Sequence, residues 1–284
     1  MLPSWMVLDP LIRSWLLEDI GRGDRTTMGI TPKLSQVGKA EWLFKEKGVA
    51  AGLTIAGRVF QLIDSQVMFT ATVDEGVWSD RGQITAYIHG PMETLLTGER
   101  VALNLAMRLS GIATMARRYV EQISDLPAQL VDTRKTTPGL RILEKYASWV
   151  GGAINHRMGL DDGVMIKDNH IAAAGGIGEA ITLVRARVPY PLTIEVEAAT
   201  LTQVQAALTH GADIIMLDNM PIAEMTTAVT VIRDFDDRVK IEASGNITLD
   251  TIRSVAQTGV DYISTSAPIT RSPWLDISMR VSGS

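Results

Sequence analysis

Hydrophobic and polar positions divide the chain into two textures. Over residues 9–20 (DPLIRSWLLEDI), Leu11, Ile12, Trp15, Leu16 and Ile20 recur at helical spacing, and Gly21 and Gly23 end the run. Extended pieces follow at 39–46, 66–73 and 83–89, the last alternating Ile84, Ala86 and Ile88 on one face, with a helix expected over 53–63. This is a small open sheet with helices. Residues 91–123 are expected to be helical, with Leu95, Leu96, Leu103, Met107 and Leu109 forming a broad apolar surface. Gly111 is expected to separate two helices, because an exposed glycine costs about 1 kcal/mol inside one. The domain boundary is placed there, giving domains of 1–112 and 113–274.

After residue 128 short apolar strands end in polar residues and lead into helices. The strands fall at 129–132, 163–167, 192–197, 213–218, 239–243 and 260–264, and helices are expected near 139–147, 177–187, 201–210, 222–233 and 248–258. Glu197 to Asp218 is 21 residues and Ser244 to Ser266 is 22, the rhythm of strand–helix units around a parallel sheet. Polar residues gather where these strands end, as on the catalytic rim of an α/β barrel. Six strands are clear and a seventh is at best poorly marked, so the TIM-like barrel is expected to be incomplete or irregular. Leu275–Val281 alternates cleanly, and the segment 275–284 is expected to return as a strand to the first domain.

Composition narrows the chemistry. The chain has 284 residues, 46% of them hydrophobic, a net charge of -5 and a pI near 5.4. It has no overall attraction for nucleic acid or an anionic membrane, so any anionic substrate must be held by local Arg and Lys. There is no cysteine, which removes disulfides, thiolate chemistry and cysteine-based metal sites. The first residues lack a basic stretch before the apolar ones, and no uncharged apolar run reaches the roughly 20 residues of a bilayer span. A cytoplasmic enzyme is the expectation.

The local positive field lies between 134 and 167, where six Lys or Arg accompany three acids. Arg134 and Lys135 follow a strand, and Thr136-Thr137-Pro138-Gly139 makes a turn. A guanidinium suits bidentate binding of carboxylate or phosphate, and an ammonium acts as a mobile point charge. Strand-end salt bridges explain the pair equally well. His156 and Arg157 sit in a loop, where an ordinary hydrogen-bonded histidine is the simpler reading. Lys167 ends an apolar strand, where an unpaired charge is expensive. Glu197 and Asp218 end strands of the same half; such a pair can hold magnesium, bind ribose hydroxyls or do acid–base work, or can pair internally with Lys167 or Arg157, and Glu195 and Glu242 compete for those roles. Ser244-Gly245-Asn246 and Thr265-Ser266-Ala267 offer backbone N–H groups with small side chains, which suits a phosphate. Arg100 lies on a helix outside the barrel and says nothing alone. A sugar-phosphate aldolase or isomerase with Lys167 as Schiff-base nucleophile, and a non-catalytic phosphate-metabolite binder, stay open on these residues.

Taken together, Gly23–Thr27, Gly98–Asn104, Leu109–Thr114, Asp132–Gly139, Asn155–Arg157, Ile166–His170, Glu195–Glu197 and Met216–Asn219 resemble, in order, the carboxylating nicotinate-nucleotide pyrophosphorylase (quinolinate phosphoribosyltransferase) family. The resemblance implies an N-terminal α/β sandwich joined to an incomplete α/β barrel. It implies transfer of a phosphoribosyl group from 5-phosphoribosyl 1-pyrophosphate to quinolinate, with magnesium, releasing pyrophosphate and carbon dioxide and leaving nicotinate mononucleotide for NAD synthesis. It also implies a homodimer or higher assembly. Arg134, His156, Arg157 and Lys167 would surround the quinolinate carboxylates, with Arg100 supplied by the partner subunit. Lys135 and Lys167 would meet the sugar phosphates. Glu197 and Asp218 would hold ribose and magnesium, and Ser244–Asn246 with Thr265–Ala267 the 5-phosphate. The stretch Ser266-Ala267-Pro268-Ile269-Thr270-Arg271 departs from the family pattern, and it keeps in view a relative linked to molybdenum transport.

Overall fold

The structure, a computed structural model, describes residues 2–30 and 37–282. Contacts divide it into two compact units, Met1–Arg117 with Ile142–Gly152 and Ser272–Ser284, and Arg118–Arg141 with Ala153–Arg271. The elements up to the change of texture are α1 (Trp5–Ile20), α2 (Arg25–Ile30), β1 (Gly38–Phe44), β2 (Gly48–Val49), α3 (Leu53–Ile63), β3 (Met68–Ala71), β4 (Trp78–Ser79), β5 (Ile84–Gly90) and α4 (Met92–Glu121). Then come β6 (Gln129–Val131), α5 (Arg141–Val150), β7 (Val164–Ile166), α6 (Asp168–Ala174), α7 (Ile177–Arg185) and β8 (Ile194–Ala198). The chain continues with α8 (Leu201–Thr209), β9 (Ile214–Asp218), α9 (Ile222–Phe235), β10 (Lys240–Ser244), α10 (Ile252–Ala256), β11 (Tyr262–Ser264), α11 (Ala267–Thr270) and β12 (Ile277–Ser282).

In the first unit four strands pair in the order β12-β1-β5-β3, with β12 antiparallel to β1. Residues 283–284 of the expected returning segment lie outside the described residues. Alternation along β1 turns Ala40, Trp42 and Phe44 inward, and Trp42 meets Phe60 of α3 and Phe69 of β3 edge-on. Full burial of side chains this size stabilises by about 1.5–3 kcal/mol each. Helix α5 groups with this unit through Glu144, wholly buried, which accepts from Arg108 Nη2 at 2.7 Å.

The expectation that Gly111 divides two helices is corrected. Helix α4 runs through it unbroken. Glycine is needed for space instead, since a Cβ there would collide with the backbone carbonyl of Pro273, where the chain turns back toward β12. Close approach of two backbones outweighs the propensity cost.

In the second unit all six expected strands form, and they pair in parallel in the order β6-β11-β10-β9-β8-β7. The last strand in sequence returns beside the first, as in a barrel. A bridge between Val131 and Ile154 supplies the poorly marked seventh position on the other side of β6. Among the described residues no pairing joins Ile154 to β7, so the ring is incomplete at that one place. The helix expected over 248–258 is shorter, Ile252–Ala256, because residues 248–251 form a turn in which Thr248 N–H donates to Thr251 Oγ1 at 2.9 Å. Among the described residues no helix is long and apolar enough to cross a membrane.

Gly111→Ala is expected to destabilise the protein by about 1–3 kcal/mol despite the better helix former, as overpacking does. Urea denaturation of the variant checks this; unchanged or greater stability would refute the close-approach account.

Candidate active site

The site is assembled by strand parity. Residues two apart on a strand share a face, so Glu195 and Glu197 of β8, Met216 and Asp218 of β9, Glu242 and Ser244 of β10, and Tyr262 and Ser264 of β11 all turn into the barrel. Register puts Ser244 beside Asp218 and Glu197 beside Met216. The loops after β6 complete the rim. Buried Asp132 ties down the second of them by accepting from Asn155 Nδ2 at 2.6 Å and from His156 N–H at 2.9 Å. Arg141 holds the first, donating to Thr136 Oγ1 at 3.0 Å and to the Met158 carbonyl at 3.0 Å.

At the C-terminal ends of the strands these elements enclose a cavity of about 450 Å³. Its lining includes Arg134, Lys135, His156, Arg157 and Lys167 together with Glu197, Asp218 and Ser244. Lys167 Nζ lies 3.4 Å from Glu197 Oε2, the internal pair that the sequence left open. A second cavity of about 360 Å³ shares Lys135, Asp218 and Ser244 with the first and extends past Gly245 and Asn246 to Thr265, Ser266 and Ala267. Every expected site residue except Arg100 lines one or both. Arg100 is exposed on α4 in the other compact unit.

The loop after β10 owes its course to three residues. Asn219 and Asn246 both adopt positive φ, 53° and 49°. Gly245, at φ 102°, passes so close to Asn219 Oδ1 that no side chain fits between them. Asn219 N–H donates to the Ser244 carbonyl at 2.9 Å, joining two neighbouring strand ends. In the divergent loop the Ala267 N–H is already taken by Thr265 Oγ1 at 3.2 Å, and Pro268 has none. Arg271, beyond it, lines the second cavity and supplies a cation there. Arg271, Asn219 and Ser264 were not singled out as site residues from the sequence. Asparagine's tolerance of positive φ is a sequence signal for the second, and two-residue periodicity for the third.

Below the rim, His156 Nε2 lies 3.1 Å from Glu195 Oε2 and 3.5 Å from Glu242 Oε2. The three side chains present one ligand atom each, all within 4.8 Å of one another, a grouping able to hold a divalent cation. It is not the Glu197–Asp218 pair expected for the metal.

Models of the quinolinate phosphoribosyl transferase N-terminal and C-terminal domains match residues 24–110 and 112–280. The chain belongs to this family. It is 56% identical over 280 residues to a probable carboxylating nicotinate-nucleotide pyrophosphorylase of Synechocystis, covering 99% of this chain and 94% of that one. A protein of the same description from Bacillus subtilis is 45% identical over 280 residues, with 96% and 93% covered. The solved structure of NadC from Streptococcus pyogenes superposes with a TM-score of 0.93 at 40% identity, covering 99% and 98% of the two chains. The fold implied by the resemblance, a sandwich-like sheet followed by an incomplete TIM-like barrel, is the family's fold.

Electrostatics in this cavity follow from burial. The Arg157 guanidinium is pushed below its ordinary pKa by desolvation and then by Arg134, which Glu195 and Asp162 oppose. Glu197 is pushed above its ordinary pKa by burial, which Lys167 opposes and Asp218 reinforces. Glu242 is pushed up to about 7 by burial first and Glu195 second. An acid with a raised folded pKa contributes stability that is complete below its unfolded value, 4.5, and lost as pH rises through about 7. Glu242→Gln cannot titrate. Its stability relative to the parent, from urea denaturation, is therefore expected to improve steadily between about pH 5 and pH 8; a constant difference across that range would count against the raised pKa.

Proposed function

We propose that the chain catalyses phosphoribosyl transfer with decarboxylation. Quinolinate and 5-phosphoribosyl 1-pyrophosphate give nicotinate mononucleotide, pyrophosphate and carbon dioxide, in de novo NAD synthesis. The observation that carries this reading is the meeting of Arg134, Arg157 and Lys167 in one cavity that also presents Glu197 and Asp218 and opens onto a cavity rimmed by small residues. Membership of the family supports the same reaction.

Quinolinate is a dianion, and Arg134 and Arg157 would take its carboxylates, with His156 lining the same cavity. Lys167 would stand between the heterocycle and the sugar phosphate, and Lys135 against the diphosphate. Fixed cations gather two negatively charged substrates that repel each other in water, and orientation of the ring nitrogen toward the anomeric carbon then supplies much of the acceleration. Ser244, Gly245, Asn246, Thr265, Ser266 and Ala267 would cradle the 5-phosphate. Bond formation leaves the ring nitrogen cationic, so it stabilises the electron pair that stays on ring carbon 2 when the 2-carboxylate departs as carbon dioxide, and that pair then takes up a proton. Lys167 is ion-paired with Glu197, an arrangement suited to anion binding rather than to Schiff-base attack.

Glu197 and Asp218 would also hold magnesium. They fit it: two hard oxygen donors share the cavity wall, and the carboxyl of Glu197 is disfavoured as an anion by burial, a cost that a cation offsets. When bound, the ion neutralises charge on the departing diphosphate. Arg100, exposed on α4, would act in the site of a partner subunit, which makes a homodimer or higher homo-oligomer the working form. We assign the enzyme to the cytoplasm, with no nucleic-acid or membrane partner, and take 1–112 with 275–284 and 113–274 as its functional division.

Quinolinate labelled in the 2-carboxylate is expected to release labelled carbon dioxide only with phosphoribosyl pyrophosphate and magnesium present; folded protein that releases none would end the assignment. Arg134→Ala should raise KM for quinolinate by about 10- to 100-fold, the equivalent of one lost charge-assisted contact, whereas unchanged KM and kcat would remove Arg134 from the site. Mixed oligomers of Arg100→Ala and Lys167→Ala chains should recover activity that neither has alone, and verified mixed oligomers that stay inactive would rule out sharing of Arg100.

A further inference from the structure

The two cavities differ in their cations. Lys135 lines both, whereas Arg271 lines the second alone, where Asp218 is the single acid among the described residues. Asp218 accepts from Asn219 Nδ2 at 2.9 Å. Among the described residues neither the Lys135 ammonium nor the Arg271 guanidinium makes a hydrogen bond or an ion pair. Two unpaired cations on a cavity otherwise rimmed by small polar residues attract an anion. Lys135 stands where the cavities join. Arg271 belongs to the far end, beside Ser266 and Ala267.

The loop that carries Arg271 is short of backbone donors. The N–H groups of Ile269 and Thr270 both donate to the Ser266 carbonyl, at 3.0 and 2.8 Å, and that of Arg271 to the Ala267 carbonyl at 3.0 Å. Ala267 N–H donates to Thr265 Oγ1 at 3.2 Å, and Pro268 has no N–H. Between 266 and 271 this leaves the N–H of Ser266. A phosphomonoester presents several acceptor oxygens and a charge of about −2 at neutral pH, more than one amide satisfies. A guanidinium answers with several N–H donors in a planar fork and a full positive charge. We propose that Arg271 binds the 5-phosphate of the phosphoribosyl donor, supplying from its side chain what the amides of this divergent loop do not. The inference rests on the proposed function and names the residue that recognises one end of its substrate. The position is well anchored for that task, because the Arg271 backbone closes α11 and the exposed side chain starts from a fixed point.

Binding is tested with ribose 5-phosphate, titrated calorimetrically into the folded protein, and with ribose as the control that lacks the phosphate. The parent should bind ribose 5-phosphate, and Arg271→Gln should bind it about tenfold more weakly. Arg271→Lys should fall between them, since an ammonium keeps the charge but not the fork. Equal affinity in the parent and Arg271→Gln, or no binding by the parent, would overturn the proposal. In turnover the 5-phosphate passes unchanged from donor to product, so its contact stabilises ground state and transition state alike. Arg271→Gln should therefore raise KM for phosphoribosyl pyrophosphate about tenfold and the inhibition constant of nicotinate mononucleotide by a similar factor, with kcat and KM for quinolinate within about twofold of the parent. This split separates lost recognition from lost folding, which would lower kcat and leave both KM values alone. A fall in kcat at unchanged KM, or an equal rise in KM for quinolinate, would remove Arg271 from the 5-phosphate. If the parent binds ribose 5-phosphate through Arg271 yet releases no carbon dioxide from quinolinate, the proposed function fails and the phosphate site stands.

Discussion

A parallel strand sends every second side chain to the same face, and in a ring of such strands that face is the interior. The rest of the site depends on this constraint. It stacks Glu195 under Glu197, Met216 under Asp218, Glu242 under Ser244 and Tyr262 under Ser264. The upper members meet at the C-terminal rim, where the chain leaves the sheet and loops can supply backbone N–H groups. Acids on the rim can serve an incoming cation or a sugar hydroxyl, and the acids one layer down, Glu195 and Glu242, converge on His156.

Charge balance explains why cations and acids share the cavity. Two guanidiniums and two ammoniums in a small space repel one another, and Arg157 feels it through burial and through Arg134. Lys167 is relieved by Glu197. Arg134 and Arg157 therefore leave the cavity with local positive potential. The molecule as a whole carries a net negative charge, so the attraction is local and depends on the rim loops being held in place. Asp132 and Arg141 do that holding, although neither faces the chemistry as a substrate ligand.

The first compact unit follows different physics. Its sheet is antiparallel, closed over an aromatic cluster of Trp42, Phe60 and Phe69, and its last strand is supplied by the far end of the chain. The return of that segment beside α4 requires Gly111, since only a residue without a Cβ lets the Pro273 carbonyl approach the helix. Judged by propensity alone the glycine looks like a helix break; judged by packing it is a contact point.

By itself the sequence determined the six parallel strands, the helices between them and the rim residues, because short apolar runs with polar ends and a strand–helix repeat of about twenty residues are local properties. It also carried the family, since the matching segments run in order through both halves. Tertiary structure alone decided the rest. That Glu195 and Glu242 converge on one imidazole depends on which strands are neighbours. That Arg271 and Lys135 share a cavity depends on the course of two loops. The continuity of α4 through Gly111 depends on a segment some 160 residues further on. Such facts arise from contacts between distant parts of the chain, and no local pattern of apolar and polar residues encodes them.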